Sequence, residues 1–79
     1  MKTFFVQDFS GEHLKQEIHR HECKSRKEGE QQLEQVAKIW LHEMEEPNSG
    51  IAKIIEGDNC VTLEFNSGEI SRAYLEFIK

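Results

Sequence analysis

The segment Ile18-His19-Arg20-His21-Glu22-Cys23 gathers side chains of this chain that could ligate a metal or act as a nucleophile. Zinc takes imidazole nitrogens and thiolate sulfurs in tetrahedral geometry. On an extended strand His19, His21 and Cys23 share a side, because successive side chains alternate. On a helix His19 and Cys23 are still neighbours, four residues apart. A fourth ligand would have to come from Cys60 or His13. The spacing departs from the paired Cys-x-x-Cys pattern of structural zinc sites, and Arg20 and Lys24 put positive charge beside the place a dication would occupy. No cofactor is expected on these grounds, and zinc held by His19, His21 and Cys23 is the metal arrangement the sequence permits. Without a metal, histidines in an already basic segment would gain charge between about pH 7 and 5.5.

Signatures of catalysis are sparse. The glycines stand singly and form no phosphate-cradling loop. No Ser or Cys sits in a nucleophile-elbow context. Cys23 beside His19 and His21 is the conceivable nucleophile–base pair, and no third group is placed to orient the base. The expectation is a non-enzymatic protein.

Carboxylates are the more abundant chemistry. Up to Lys27 there are six cations against four acids; from Glu28 onward there are four cations against eleven acids, for a net charge of −5. Acids spread over a rigid scaffold can imitate phosphate spacing and occupy a basic channel, with complementary charge raising the on-rate and buried anchors setting affinity. The candidate partner-binding residues are Glu30, Glu34, Lys38, Glu43, Glu45, Glu46, Asp58 and Tyr74. Direct nucleic-acid binding is not expected, since phosphate neutralisation needs a net basic stripe. The expected partner is a protein or nucleoprotein complex with a basic surface.

The elements that must position these groups are legible from patterning. Ser25-Arg26-Lys27-Glu28 is a capping box, in which the Ser hydroxyl accepts from a free first-turn N–H and the Glu reaches back to the N–H of the cap. A helix is predicted from Arg26 to about Glu46, with Leu33, Val36, Ala37, Trp40, Leu41 and Met44 in one stripe and Trp40 at the centre of the core. Pro47 ends it. Glu43, Glu45 and Glu46 fall where the helix dipole disfavours anions. Thr3–Phe9 reads as a strand. Leu14–Lys24 is compatible with strand or helix, and the strong cap at Ser25 favours a strand. After the helix, Ile51–Glu56, Cys60–Phe65 and Glu69–Ile78 read as strands joined by turns at Gly57-Asp58-Asn59 and Asn66-Ser67-Gly68, and in the last of them Ser71, Ala73, Leu75 and Phe77 share a face. A terminal helix through Ile70, Ala73, Tyr74 and Phe77 is the alternative for that final segment.

The prediction is one small α+β domain over residues 1–79, an antiparallel sheet with one main helix on one face in ββαβββ order. An open sheet edge in such a layout could support a homodimer. Two cysteines do not make a disulfide framework, the apolar run at residues 3–6 is too short for a signal-peptide core, and no segment approaches a membrane span. A cytoplasmic protein with reduced thiols and no membrane partner is expected.

In layout, size and acidity the chain resembles small phage-encoded anti-CRISPR and related anti-defence proteins. The resemblance spans most of the chain and involves no shared motif, so no functional residue carries over. It implies a protein that binds a host nucleoprotein complex and blocks it. The alternatives are a small zinc-binding domain, or a structural or dimerisation domain, of a bacterial or prophage protein.

Overall fold

A computed structural model of the chain describes residues 1–10 and 17–79. Five strands and one helix follow in the order β1 (Lys2–Ser10), β2 (Glu17–Cys23), α1 (Arg26–Glu45), β3 (Ile51–Gly57), β4 (Cys60–Phe65) and β5 (Ile70–Ile78). The strands form one sheet in the order β2-β1-β5-β4-β3, with every neighbouring pair antiparallel. This is the ββαβββ layout expected; the described part of the ambiguous Leu14–Lys24 segment, Glu17–Cys23, is a strand, and so is the final segment. The start of the first of these segments, Leu14 to Gln16, and His13 lie outside the described residues.

The sequence could not show that the last strand is the central one. β5 pairs with β1 from Lys2↔Ile78 to Ser10↔Ile70, and with β4 from Cys60↔Tyr74 to Glu64↔Ile70. Its helix-facing residues Ser71, Ala73 and Leu75 are buried, and Ala73 is fully so. Small side chains there leave room for a helix to lie across the middle of the sheet.

The helix begins as its cap dictates. Ser25 is extended, and its hydroxyl accepts from the Glu28 N–H at 3.1 Å. The Glu28 carboxylate reaches back to the N–H of Lys24, one residue earlier than a strict capping box would place it. The Arg26 guanidinium stacks 4.9 Å from the Phe77 ring centroid and so fixes the helix start against β5. Gly29 then passes very close to the sheet: a methyl there would meet Leu75 Cδ2 at 3.0 Å and Thr3 Cγ2 at 3.3 Å. Gly29, Leu33 and Ala37 are the buried residues of α1, packed over a cluster of Phe5, Cys23, Val61, Ala73 and Leu75.

Trp40 is not the centre of that core. It is half-buried at its edge, with Val36, Ile54 and Phe77. The helix makes its tightest approach at small residues near its start, so its later turns run out toward the sheet margin. Leu41 and Met44, also in the expected stripe, are consequently 45% and 38% exposed.

The face of the sheet away from the helix is closed by its own side chains. Arg20 bonds Glu76 at 2.8 Å and lies over Phe4; Arg72 bonds Asp8 at 2.7 Å and lies over Tyr74. Val6, paired with Arg20 and Tyr74 in the neighbouring strands, is 0% exposed although no helix covers it. Long cationic side chains bury their stems on apolar surface while their heads stay solvated and paired. No helix among the described residues is long and apolar enough to cross a membrane.

Candidate functional site

The metal candidates can be placed first. In β2, His19, His21 and Cys23 face the helix side, opposite Gln7, Phe5 and Thr3 of β1. They share a face, as a strand requires, but not an environment. His19 and His21 are exposed, with His19 edge-on to Phe9 at 6.4 Å between ring centroids. Cys23 is buried under the first turn of α1, its sulfur 4.0 Å from the His21 carbonyl. Burial, with the nearby Glu28 charge adding to it, pushes the Cys23 thiol above its ordinary range. A protonated, buried thiol is the reverse of what a zinc ligand or a nucleophile requires. Cys60 lies on β4, three strands from β2, about 14 Å away at ordinary strand spacing. Among the described residues no group of three or more His, Cys, Asp or Glu side chains is arranged to hold a metal ion. His13 lies outside the described residues.

The acidic candidates behave differently, because the helix gathers some of them on one flank. Glu30, Glu34 and Lys38 recur every four residues, and so do Leu33, Ala37 and Leu41 one row over. Along this flank of α1, the two rows and the β3–β4 hairpin enclose an open groove of about 500 Å³. Leu33, Ala37, Leu41 and Val61 supply its apolar surface, and Glu30, Glu34 and Glu56 border it. Lys38 also lines it, held 3.3 Å from Glu34, while Glu30 is held 3.0 Å from Arg26. Both pairs are exposed, so they screen the carboxylates without neutralising the flank.

Asp58 and Tyr74 lie on the other side of the hairpin turn. There β5 runs on beyond the end of β4, and the step leaves a second recess of about 480 Å³ with Arg72 and Phe77 in its wall. Asn59 and Cys60 belong to both recesses, so the turn is the ridge between them. Asn59 has φ 57°, and its carbonyl accepts from the Leu75 N–H at 2.9 Å, tying the ridge to the central strand. Glu43, Glu45 and Glu46 line neither recess. They stand exposed at the end of α1, and none of them forms an ion pair among the described residues.

Of the expected partner-binding set, then, Glu30, Glu34 and Lys38 come together, Asp58 and Tyr74 form a separate pair, and the last three acids stand apart. Leu41, Val61 and Glu56 complete the groove and were not singled out as site residues by sequence reasoning. The available signal is the apolar row 33-37-41 lying beside the charged row Glu30, Glu34 and Lys38. No protein family, curated protein or solved structure matches the chain in comparisons of sequence and fold.

Proposed function

We propose that this is a non-catalytic protein that engages a basic surface of a protein or nucleoprotein partner through the acidic flank of α1 and thereby blocks that surface. The observation that carries the reading is the groove itself, apolar within and bordered by Glu30, Glu34 and Glu56. An interface needs a desolvated centre for affinity and a charged rim for steering, and the groove offers both in one place. Further carboxylates without ion-pair partners among the described residues, at Glu43, Glu45, Glu46 and Asp58, extend the negative field around it. The carboxylates of the three at the helix end oppose the helix dipole and make no ion pair among the described residues, which favours a role outside the fold.

The same reading accounts for the helix-free face. An RNA-stacking sheet displays open aromatic rings, whereas Phe4 and Tyr74 each carry a guanidinium on one face. Within this function class the blocking of a nucleoprotein effector, as phage anti-CRISPR and other anti-defence proteins do, is the specific form we favour, in a cytoplasmic setting. It rests on layout, size and acidity.

The test is affinity capture from host lysate with elution in stepped salt, run beside a variant carrying Glu30→Lys, Glu34→Lys and Glu45→Lys. One defined protein or complex, released by salt at roughly a few hundred millimolar and lost with the variant, is the expected result. Equal retention by both proteins would reduce the acidic flank to a solvating surface.

A further inference from the structure

We infer that the groove and the outer edge of β3 form a single docking site for an extended basic segment, which adds to the sheet as a sixth strand and places alternate side chains beneath α1. The inference rests on the acidic-surface reading above and specifies how that surface is engaged.

Three observations converge on it. First, β3 pairs with β4 alone, so its other edge presents unpaired N–H and C=O groups among the described residues. Such an edge is a template for another strand unless it is guarded. The opposite edge is the more heavily charged: β2 carries His19, Arg20, His21 and Glu22 beside the exposed Ile18. β3 instead carries three isoleucines with Lys53 and Glu56, and Ile55 is 45% exposed. The register shift between Ile51 and Lys53 disturbs only its first residues, leaving Lys53 to Gly57 in regular pairing.

Second, edge and groove are continuous. Ile54 pairs with Leu63 and Glu56 with Val61, which puts Ile54 and Glu56 on the helix side of the sheet. A strand added about 4.8 Å outside β3 would project every second side chain into the space roofed by Glu34, Lys38 and Leu41. Backbone pairing would supply affinity, and the groove would select apolar side chains at alternate positions.

Third, charge names the occupant. The rim formed by Glu30, Glu34 and Glu56 stands on the groove's own face of the sheet, so it favours Lys or Arg at groove-facing positions next to the apolar ones. A second copy of this chain is the wrong partner at this edge. A two-fold β3–β3 pairing would bring Glu34 and Glu56 of one copy toward the same acids of the other, in a molecule of net charge −5.

The experiment uses a fluorescein-labelled peptide in which Thr alternates with groove-facing residues that are Lys and Val in turn, and a control peptide of the same composition with the valines in one block. Binding is followed by anisotropy against the full chain, and amide hydrogen exchange is recorded with and without peptide. The alternating peptide is expected to bind at least about tenfold tighter than the blocked one and to raise protection at β3 amides. The variant Glu34→Lys, Glu56→Lys should weaken it about tenfold, whereas Glu22→Lys, Glu69→Lys, with the same change of net charge far from the groove, should stay within about twofold. Equal weakening by the two variants would overturn the site, leaving only long-range attraction. So would binding without new protection in β3, or failure of both peptides to bind. A sedimenting dimer whose β3 amides are protected without peptide would give the edge to a second copy. Failure with the peptide, alongside retention of a lysate partner by the wild-type chain alone, would remove strand addition and leave the acidic surface standing.

Discussion

Gly29→Ala sets two physical effects of known sign against each other. Replacing glycine by alanine inside a helix favours folding by about 1 kcal/mol, because glycine loses more backbone freedom on folding. At position 29 the added methyl lands 3.0 Å from Leu75 Cδ2, 3.3 Å from Thr3 Cγ2 and 3.5 Å from Cys23 Sγ. Carbon contacts are most favourable at about 3.5–4.0 Å, so two of the three neighbours must give way or the helix must rise off the sheet. All three are buried, Cys23 and Leu75 within the core cluster, where overpacking costs about 1–3 kcal/mol. Taking about 2 kcal/mol for the clash and about 1 for the propensity gain leaves a net loss near 1 kcal/mol. In a domain this small that is a fall in Tm of about 4–8 °C. Leu75→Val removes the atom in closest contact, so in that background Gly29→Ala should cost nothing or stabilise, a coupling of about 1 kcal/mol. Urea and thermal unfolding of the four proteins of the cycle measure it. Strict additivity, or a rise in Tm from Gly29→Ala alone, would refute the close-approach argument.

Other outcomes follow from the same structure. Val6→Ala should lower stability by about 2 kcal/mol in urea unfolding, as for a core residue, although its face carries no helix. Ser25→Ala should cost about 1 kcal/mol through the lost bond to the Glu28 N–H, with the loss visible in helix ellipticity on heating. Because the folded-state pKa of Cys23 is raised, the unfolded chain releases that proton first, so stability should fall as pH climbs past about 8.5, and Cys23→Ala should flatten that slope. In native protein a thiol reagent should modify half-buried Cys60 before buried Cys23. A metal chelator should leave Tm unchanged; a large fall would restore zinc on His19, His21 and Cys23.

How much of this was legible in the sequence varied with the range of the interaction. The Ser25 cap, the Pro47 stop and the alternation through Val61, Leu63, Ala73 and Leu75 are local signals, and they locate α1, β4 and β5. Strand order is not local: nothing in Ile70–Ile78 says that it will lie between β1 and β4. The helical stripe tells which side of α1 faces inward but not where along its length the helix comes closest to the sheet. It puts Trp40 at the centre, whereas the close approach is at Gly29, which has no side chain to signal it. The groove depends on where the β3–β4 hairpin lies beside α1, which is not local, so Leu41 and Val61 can be read as core residues but not as the lining of a site. Its charged row of Glu30, Glu34 and Lys38 is visible because spacing by four survives any placement of the helix.

The central claim is that the groove between α1 and the β3–β4 hairpin is the working surface of this protein. It is tested most directly by capture from host lysate with two variants of equal net charge, Glu34→Lys with Glu56→Lys and Glu22→Lys with Glu69→Lys. The account predicts that the second pair retains the same defined partner as the wild-type chain and that the first pair loses it. Retention by both, or loss by both, would contradict a site at the groove.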